Sequence, residues 1–326
     1  MLRLLQINLW YNNLLKLNHN PIKSICCNFA MMVKYDREMK TKSNSIADIK
    51  NYIFSELKSK YSYNEIKSLT NILFEEYCRL NSAHLLAFPK ETINESELLN
   101  IVLATEQLKK EKPIQQILKK SYFYNLCLDI NENVLIPRPE TEELCQYIVA
   151  LEKQNANINI IDLCTGSGCI ALSLKNNLPK STVFAMDISS QALLLAKQNS
   201  EKLNLDIHFM QGNLLDCFDT PQQDFDVIVS NPPYIMEREK IEMKNNVLKY
   251  EPQTALFVED ANPLVFYQKI KEFAQKRLKK QGRIYLEINE NLSLQTLSLF
   301  SETEYIKELK QDIFGKNRFI FLKKKQ

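Results

Sequence analysis

The sequence predicts an α/β protein in which a parallel, doubly wound sheet follows a smaller helical domain. From residue 157 onward, short β-branched apolar segments alternate with segments of helical periodicity, a pattern typical of such sheets. A glycine-containing loop directly follows the first predicted strand, and an Asn-Pro-Pro-Tyr turn directly follows the fourth. Open α/β sheets bind ligands beyond the carboxyl ends of their strands, so both loops lie where a functional site is expected.

Composition limits the class of protein. The chain has 326 residues, enough for two domains, and its 42 basic and 39 acidic residues leave a formal charge of +3. That balance does not favour a nucleic-acid-binding protein. No apolar run reaches the roughly 18 residues that a membrane-spanning helix needs. The eight cysteines form no CxxC pair and the three histidines are dispersed, so we expect no metal site, reduced thiols and a cytoplasmic location.

The chain divides into four predicted segments. Residues 1–40 are expected to be a poorly structured extension that is either non-essential or mis-assigned, because their apolar residues are interrupted and no secretory core is present. Residues 41–112 have helical periodicity, with capping-box spacing at Ser62 to Glu65 and a helix start at Asn94. They hold no clustered acid–base set, which favours a role in substrate recognition. Residues 113–139 are predicted to be a hairpin-like connector, and residues 140–326 the sheet domain.

The connector alternates apolar and polar residues from Tyr122 to Ile130, as expected for a strand-like hairpin. It ends in a rigid, extended arm because prolines occupy positions 137 and 139. A helix is predicted over 141–154, begun by Thr141 or Glu142. The arm either brings Leu135 against the catalytic face or serves as a plain interdomain linker, and the sequence alone favours neither.

Strands and helices alternate within the sheet domain. Strands are predicted over residues 158–163, 182–186, 207–210, 225–229 and 284–288, and helices over residues 169–177, 190–203 and 263–280. The closing segments 304–309 and 318–322 flank Gly315 and are predicted to form an antiparallel hairpin at one edge of the sheet.

The turn after the fourth strand has a specific chemistry. Pro232 and Pro233 lack a backbone N–H, so strand pairing stops there, and Asn231 is held extended because a proline follows it. The Asn231 side-chain carbonyl and the Pro232 main-chain carbonyl are expected to accept hydrogen bonds from one planar –NH2 group, while Tyr234 packs on its face. Such a nitrogen is a poor nucleophile, so orientation and exclusion of water are the main contributions an enzyme can make. An ordinary proline-rich turn is the alternative.

The loop after the first strand, Asp162 to Gly168, points to a nucleoside cofactor. Its glycines allow the backbone to approach a ligand closely, and Asp187, at the end of the next strand, can accept hydrogen bonds from both hydroxyls of a ribose. Gly166 to Ala171 also satisfies the G-x-G-x-x-A pattern of dinucleotide sites. Asp162 favours S-adenosylmethionine over a dinucleotide, because a carboxylate beside the loop repels phosphate and attracts a cationic amino acid group.

The end of the third strand is expected to add a further cofactor contact. Asn213 can hydrogen-bond the cofactor and Leu214 can pack on its adenine, whereas Gly212 also fits a simple turn.

Several motifs together resemble the peptide chain release factor glutamine methyltransferases. They are Ile136 to Glu142, Asp162 to Gly168, Asp187, Asn231 to Ile235, Glu251-Pro252 with Ala255 to Phe257, and Asp312 to Arg318. The resemblance runs in one consistent order from about residue 45 to the end of the chain. Asn-Pro-Pro-Tyr alone is shared with adenine-N6 and other amine methyltransferases, and the proline-containing arm and Glu-Pro segment narrow the resemblance to this family.

The resemblance implies a class I S-adenosylmethionine-dependent methyltransferase fold, with a seven-stranded, mostly parallel sheet and a helical N-terminal domain. It implies methyl transfer to the side-chain amide nitrogen (N5) of the glutamine in the Gly-Gly-Gln motif of class I release factors, with S-adenosylhomocysteine as the other product. The protein is expected to act as a monomer, without direct contact to nucleic acid or membrane.

The family's roles fall on residues already singled out. Asp162 and Asn213 are inferred from the sequence pattern and are added to the residues that the family implies. The predicted cofactor-binding residues are then Asp162, Cys164, Thr165, Gly166, Ser167, Gly168, Asp187, Asn213, Leu214 and Asn231. The resemblance assigns catalysis to Asn231, Pro232 and Tyr234, and substrate binding to these residues together with Pro233 and Leu135.

Three positions depart from the family pattern, and two other functions remain open. Lys119 stands where many members have glycine, Asn213 replaces a commoner aspartate, and Glu287 to Asn291 replaces a glycine-containing segment. These departures bear on the hairpin and the cofactor contacts and leave the amide clamp intact. One alternative is adenine-N6 methylation of nucleic acid, against which the mixed charges of the helical segment weigh. The other is a catalytically inactive scaffold that binds a translation factor.

Overall fold

The structure, a computed structural model, describes residues 41–155, 157–216 and 223–326. The expectation for residues 1–40 therefore lies outside the described residues. The chain consists of two units, and the boundary between them falls between Lys112 and Pro113.

The first unit is helical in its described part. Its helices are α1 (Ile46–Leu57), α2 (Tyr63–Cys78), α3 (Ser82–Ala87) and α4 (Glu95–Lys109). Both predicted helix starts are confirmed: Ser62 with Glu65, and Asn94 with Glu97, each form a capping box in which side chain and backbone N–H bond reciprocally. The apolar stripe of α1 is fully buried, so packing as well as capping stabilises this unit.

The second unit begins with a short helix and the predicted hairpin. Helix α5 covers Ile114–Leu118, and strands β1 (Lys120–Phe123) and β2 (Leu126–Asp129) pair antiparallel. Tyr124 and Asn125 connect them with φ values of 42° and 65°, which suits the tight turn of a two-residue hairpin. Lys119 ends α5 in the left-handed conformation with φ of 56°, which explains why a glycine is the easier residue here.

The helix after the arm, α6, covers Pro139–Glu152. The prediction that Thr141 or Glu142 begins this helix is wrong by two residues or more. Arg138 is the N-cap and Pro139 the first helical residue, a position where the missing N–H of proline costs no hydrogen bond. Thr141 is therefore inside the first turn, with its side chain turned towards the sheet domain's interior and 2% exposed.

A seven-stranded sheet forms the centre of the second unit. Its members are β3 (Asn159–Leu163), β4 (Thr182–Asp187), β5 (His208–Gln211), β6 (Phe225–Ser230), β9 (Leu278–Glu287), β10 (Tyr305–Gln311) and β11 (Asn317–Lys324). The order is β10-β11-β9-β6-β3-β4-β5, with β9, β6, β3, β4 and β5 parallel and the last two strands antiparallel at one edge. The predicted doubly wound sheet with its antiparallel edge is confirmed.

Helices cover both faces of this sheet. They are α6 together with α7 (Cys169–Asn177), α8 (Ser190–Leu203), α10 (Val265–Arg277) and α11 (Ser293–Ser298). The short helix α9 (Asn245–Tyr250) lies between β7 and β8 in the sequence and has no buried residue. Neighbouring residues of β3 point to opposite faces: Ile160 packs in the cluster with α6 and α7, and Ile161 in the cluster with α10. Both are fully buried, so the parallel strands form a two-sided core.

Two parts of the sheet domain differ from the prediction. The predicted helix over 263–280 is too long, because Leu278 already pairs with Phe225 as the first residue of β9 and Gln281 has a positive φ of 60°. A small parallel pair, β7 (Ile235–Met236) and β8 (Phe257–Val258), was not predicted. It joins the segment after the Asn-Pro-Pro-Tyr turn to the Glu-Pro segment through a 3.0 Å bond from the Ile235 N–H to the Leu256 carbonyl.

Candidate functional site

Strand register brings the predicted site residues to one level of the sheet. Leu163 pairs with Met186 on one side and Ser230 on the other, and Ser230 pairs with Leu286. The residues that follow these positions are Cys164, Asp187, Asn231 and Glu287. The carboxyl ends of four adjacent parallel strands therefore form one row along the edge where ligands bind in such sheets.

A cavity of about 700 Å³ lies beyond this row. The predicted site residues among its lining are Leu135, Cys164, Thr165, Gly166, Ser167, Asp187, Asn213, Leu214, Asn231 and Pro233. The structure thus brings the glycine loop, the ends of β4 and β5, the Asn-Pro-Pro-Tyr turn and the arm together. Asp162, Gly168, Pro232 and Tyr234 are not among the residues that line the cavity.

The glycine loop turns sharply between β3 and α7. Gly166 and Gly168 have φ values of 55° and 81°, in the left-handed region that favours glycine. A Cβ at Gly168 would lie 3.1 Å from the Cβ of Ala196, so a side chain there would press on α8. Gly166 has nothing within 4 Å of its Cβ position, which leaves its backbone open to the cavity.

Asp187 is held by backbone donors at the end of β4. Its Oδ2 accepts the Gly166 N–H at 2.8 Å and its Oδ1 accepts the Ser189 N–H at 2.9 Å. Burial raises the pKa of Asp187, and these hydrogen bonds oppose that shift. Each carboxylate oxygen has a second lone pair, so Asp187 can still accept two hydroxyl groups from the cavity side.

Asp162 is fully buried beneath the loop. Its Oδ2 accepts the Thr165 hydroxyl at 2.6 Å and the Ala171 N–H at 3.2 Å, whereas its Oδ1 has no partner. Burial raises the pKa of Asp162 to about 7. An unpaired oxygen on a buried carboxyl group fits a cationic donor, because such a donor would satisfy the oxygen and favour the charged form.

Asn213 is engaged within its own loop. Its Oδ1 accepts the Leu215 N–H at 3.1 Å and its Nδ2 donates to Asp216 at 2.9 Å. Leu214 is 4% exposed and packs in the core cluster below α10. The loop therefore presents a fixed apolar wall to the cavity.

The Asn-Pro-Pro-Tyr turn is rigid. Pro232 and Pro233 are both buried, and the Ser230 hydroxyl donates to the Leu163 carbonyl at 2.7 Å, tying the turn to the glycine-loop strand. Asn231 donates through Nδ2 to the Thr141 Oγ1 at 3.0 Å. Within the described part of the chain, no donor contacts the Pro232 carbonyl or Asn231 Oδ1, so both oxygens can accept a hydrogen bond from a ligand.

The hydroxyl group of Tyr234 is anchored on Glu287 at the end of β9. The hydroxyl donates to Glu287 Oε1 at 3.0 Å, and the Tyr234 carbonyl accepts from Asn289 Nδ2 at 3.1 Å. Burial and the Glu287 carboxylate raise the pKa of Tyr234 well above its usual value. The phenol is thus neutral, and its hydroxyl group supports the turn. Packing of the Tyr234 ring on a ligand stays a prediction.

Sequence analysis missed the side chains that support this turn and the arm. Glu287, 2% exposed, accepts the Thr141 hydroxyl at 2.6 Å as well as the Tyr234 hydroxyl. Glu251, 5% exposed, accepts the Ile136 N–H at 3.1 Å and the Arg138 guanidinium at 2.6 Å. The Glu-Pro motif had marked Glu251 as part of the family resemblance, but it gave no indication that this side chain supports the arm. Thr141 was interpreted only as a helix start, and Glu287 only as part of an atypical segment.

Among residues 41–155, 157–216 and 223–326, no group of histidine, cysteine and carboxylate side chains has the arrangement of a metal site. None of the helices in these ranges has both the length and the apolar character needed to cross a membrane.

Comparison with known proteins identifies close relatives. The methyltransferase small domain family matches residues 145–253. A release factor glutamine methyltransferase of Flavobacterium psychrophilum is 43% identical over 282 residues, which cover 83% of this chain and 98% of that protein. A release factor glutamine methyltransferase of Bacteroides thetaiotaomicron is 37% identical over 82% of this chain and 96% of that protein. A solved methyltransferase structure from Pyrococcus furiosus has a TM-score of 0.46 and 17% identity, covering 71% of this chain and 99% of that chain.

Proposed function

Because the chain belongs to the release factor glutamine methyltransferase family, we propose that it transfers a methyl group from S-adenosylmethionine to N5 of a glutamine side chain. The substrate is the glutamine of the Gly-Gly-Gln motif in class I peptide chain release factors. The observation that carries this proposal is the shared cavity, in which Asn231 and the Gly166 loop face the same space.

The residues present fit the proposed cofactor. The unpaired oxygen of Asp162 suits the ammonium group of its amino acid portion, and Asp187 suits the ribose hydroxyls. Gly166 leaves its backbone accessible, and Leu214 offers an apolar wall for the adenine. When bound, S-adenosylmethionine supplies an electrophilic methyl group on a sulfonium.

The clamp performs the orientation that a glutamine amide needs. The amide lone pair is delocalised into the carbonyl, so reaction requires the nitrogen to be held in one direction with water excluded. Asn231 Oδ1 and the Pro232 carbonyl accept the two N–H bonds of the substrate, which fixes the plane of the amide. Withdrawal of those hydrogens towards two carbonyl oxygens also increases electron density on the nitrogen as the new bond forms.

No general base is required at the nitrogen. The methylated amide is strongly acidic while it still carries both original protons, so one proton leaves to solvent after transfer. The Tyr234 phenol is not a base here, because its hydroxyl hydrogen is donated to Glu287.

We propose a monomer acting in the cytoplasm, where translation factors are found, with protein and not nucleic acid as the substrate. The adenine-N6 alternative uses the same clamp, but the relatives that match most of the chain are named for glutamine methylation.

One experiment tests the function directly. The protein is incubated with isotope-labelled S-adenosylmethionine and a class I release factor, and the methyl group is located by peptide mass spectrometry. Parallel samples contain the release factor with its Gly-Gly-Gln glutamine changed to glutamate, or a duplex DNA rich in adenine. We expect a single methyl group on the glutamine and none in the other two samples. Label in the DNA, or at another residue of the release factor, would overturn the proposal.

A further inference from the structure

The geometry assigns to Glu287 a role in substrate selection: acting through Thr141, it fixes which end of the Asn231 carboxamide faces the cavity, and so makes the site select an amide over a carboxylate. This inference rests on the proposed function and deepens it. It concerns two residues that the amide clamp itself does not contain, Thr141 on α6 and Glu287 at the end of β9.

The first step is the direction of the hydrogen bonds. An ionised carboxylate has acceptors only, so the hydroxyl hydrogen of Thr141 is directed to Glu287 Oε2 over the 2.6 Å contact. The Thr141 oxygen then faces Asn231 as an acceptor. Asn231 therefore presents its –NH2 end to Thr141, at 3.0 Å, and its Oδ1 end lies on the other side.

The second step is the charge on Glu287. Its two oxygens accept two separate hydroxyl hydrogens, from Thr141 and Tyr234. A carboxylate can accept both, whereas a carboxylic acid carries a hydrogen of its own on one of these oxygens. Burial raises the pKa of Glu287, and the hydrogen bonds from Thr141 and Tyr234, together with the positive charge of Arg318, oppose that shift in favour of the ionised form. Arg318 is itself held by Asp312 at 3.2 Å, so its position beside the strand is fixed.

The third step is why the direction matters. The two ends of an asparagine side chain have nearly the same shape, and only hydrogen bonding distinguishes them. With Oδ1 towards the substrate, the site pairs with an N–H donor. With the –NH2 end towards the substrate, the same site would pair with an oxygen acceptor, as in a glutamate side chain. Buried hydrogen bonds that allow only one orientation of the Asn231 amide therefore reject a carboxylate substrate, although the shape of the site is the same.

The burial and the sequence separation of Thr141, Glu287 and Asn231 support this role. Thr141 and Glu287 are each 2% exposed, so bulk solvent has little access to the hydrogen bonds that link them. They are 146 residues apart in sequence, and Thr141 and Asn231 are 90 residues apart. The Tyr267 hydroxyl donates to the main-chain carbonyl of Glu287 at 3.1 Å, which fixes the backbone independently of the carboxylate.

The test uses Glu287→Gln, which keeps the side-chain shape and replaces one acceptor oxygen by a donor. A glutamine –NH2 group can donate to Thr141, which turns the Thr141 hydroxyl hydrogen towards Asn231 and reverses the amide. We measure methylation of a release factor, and its inhibition by the same release factor carrying glutamate in place of the target glutamine. The reported quantity is the ratio of KM for the glutamine form to the inhibition constant for the glutamate form.

In the native enzyme we expect the glutamate form to be a poor inhibitor. In Glu287→Gln we expect the ratio to shift by about tenfold or more towards the glutamate form, with kcat reduced by at least a similar factor. The dissociation constant for S-adenosylmethionine is expected to change by less than about threefold. A purely structural role would lower activity without changing the ratio.

Tyr267→Phe is the matched control, because it removes a buried hydrogen bond to Glu287 and leaves the carboxylate chain intact. It should retain the native ratio. If Glu287→Gln does not fold, Thr141→Val and Thr141→Ser make the same comparison: valine removes the hydroxyl and should lose selectivity, and serine restores the hydroxyl and should restore selectivity.

An unchanged ratio in folded Glu287→Gln, or equal ratios in Thr141→Val and Thr141→Ser, would overturn the inference. Failure of the native enzyme to methylate the glutamine would instead overturn the proposed function, so the two failures are distinguishable.

Discussion

Arg138 donates to the buried carboxylate of Glu251 at 2.6 Å, and this ion pair fixes the arm that carries Leu135 along the cavity. The second oxygen of Glu251 accepts the Ile136 N–H. The Glu-Pro motif therefore acts as an anchor for the Pro-Arg-Pro arm across 113 residues of sequence. The arm is a wall of the candidate site, and a plain linker is not what the structure shows.

Glu251→Ala should release the arm. It leaves the Ile136 N–H and the Arg138 guanidinium without their partner, and because Arg138 is one-third exposed we expect a loss of about 2 kcal/mol in the free energy of unfolding. Urea unfolding measures this loss, and kinetics should show a raised KM for the release factor. Glu242→Ala, at an exposed glutamate, is the control and should change stability by less than about 0.5 kcal/mol. Equal stability in the two variants would contradict the anchoring role.

Asn231→Ala should lose at least ~2 kcal/mol of transition-state stabilisation, about a 30-fold decrease in kcat/KM, because the substrate amide loses a directed acceptor. Steady-state methylation of a release factor measures the decrease. Unfolding of the same variant by urea checks that the turn is intact. Near-normal turnover would refute the assigned role of the turn.

The affinity for S-adenosylmethionine should depend on Asp162. Burial raises the pKa of Asp162 to about 7, and its ionised form attracts the ligand's ammonium group. We therefore expect affinity to rise roughly tenfold between pH 6 and pH 7.5, the range in which the carboxyl group ionises. Titration calorimetry measures it. Asp162→Asn should bind more weakly and without this slope, and a matching slope in Asp162→Asn would assign the titration to another group.

The same carboxyl group should affect the stability of the unliganded protein with the opposite trend. Its pKa in the folded state, about 7, lies above the ordinary 3.8, so the folded state binds more protons between these values. The contribution to stability is complete below about pH 4 and is lost as pH rises to 7, on the order of 4 kcal/mol in total. The measurement is the difference in unfolding free energy between native protein and Asp162→Asn at several pH values. A difference independent of pH would contradict this assignment.

Lys119→Gly should stabilise the protein by about 0.5 to 1 kcal/mol. Lys119 has a φ of 56°, a conformation that costs energy for a residue with a Cβ and little for glycine. Lys67→Gly, at an exposed position within α2, is the control and should destabilise by about 1 kcal/mol. Thermal or urea unfolding distinguishes the opposite signs. Loss of stability in Lys119→Gly would show that its side chain compensates for the backbone.

The sequence predicted those parts of the site that depend on local backbone chemistry. A glycine loop after a buried strand, and two prolines after another, restrict the chain strongly wherever it folds. Their meeting in one cavity followed from the parallel order of the strands. The end of α10 was not predictable, because Lys279 to Gly282 have no clear periodicity and the change of direction depends on the pairing of Leu278 with Phe225.

The supporting side chains were beyond sequence analysis for a different reason. Thr141 and Glu287 are ordinary residues at a helix start and a strand end, and no local spacing relates them. Their contact exists only because α6 packs beside the end of β9. Sequence patterns reveal residues that contact a ligand more readily than they reveal residues that contact each other across the fold.

The central place of β6 has a kinetic consequence. Neighbours on both flanks, β3 and β9, bind this strand along its length, so displacing Asn231 would require rupturing two ladders at once. We therefore expect the turn that we propose to grip the glutamine to stay in place from one catalytic cycle to the next. Admission of a bulky protein loop and departure of the spent nucleoside must rely on movement elsewhere around the cavity.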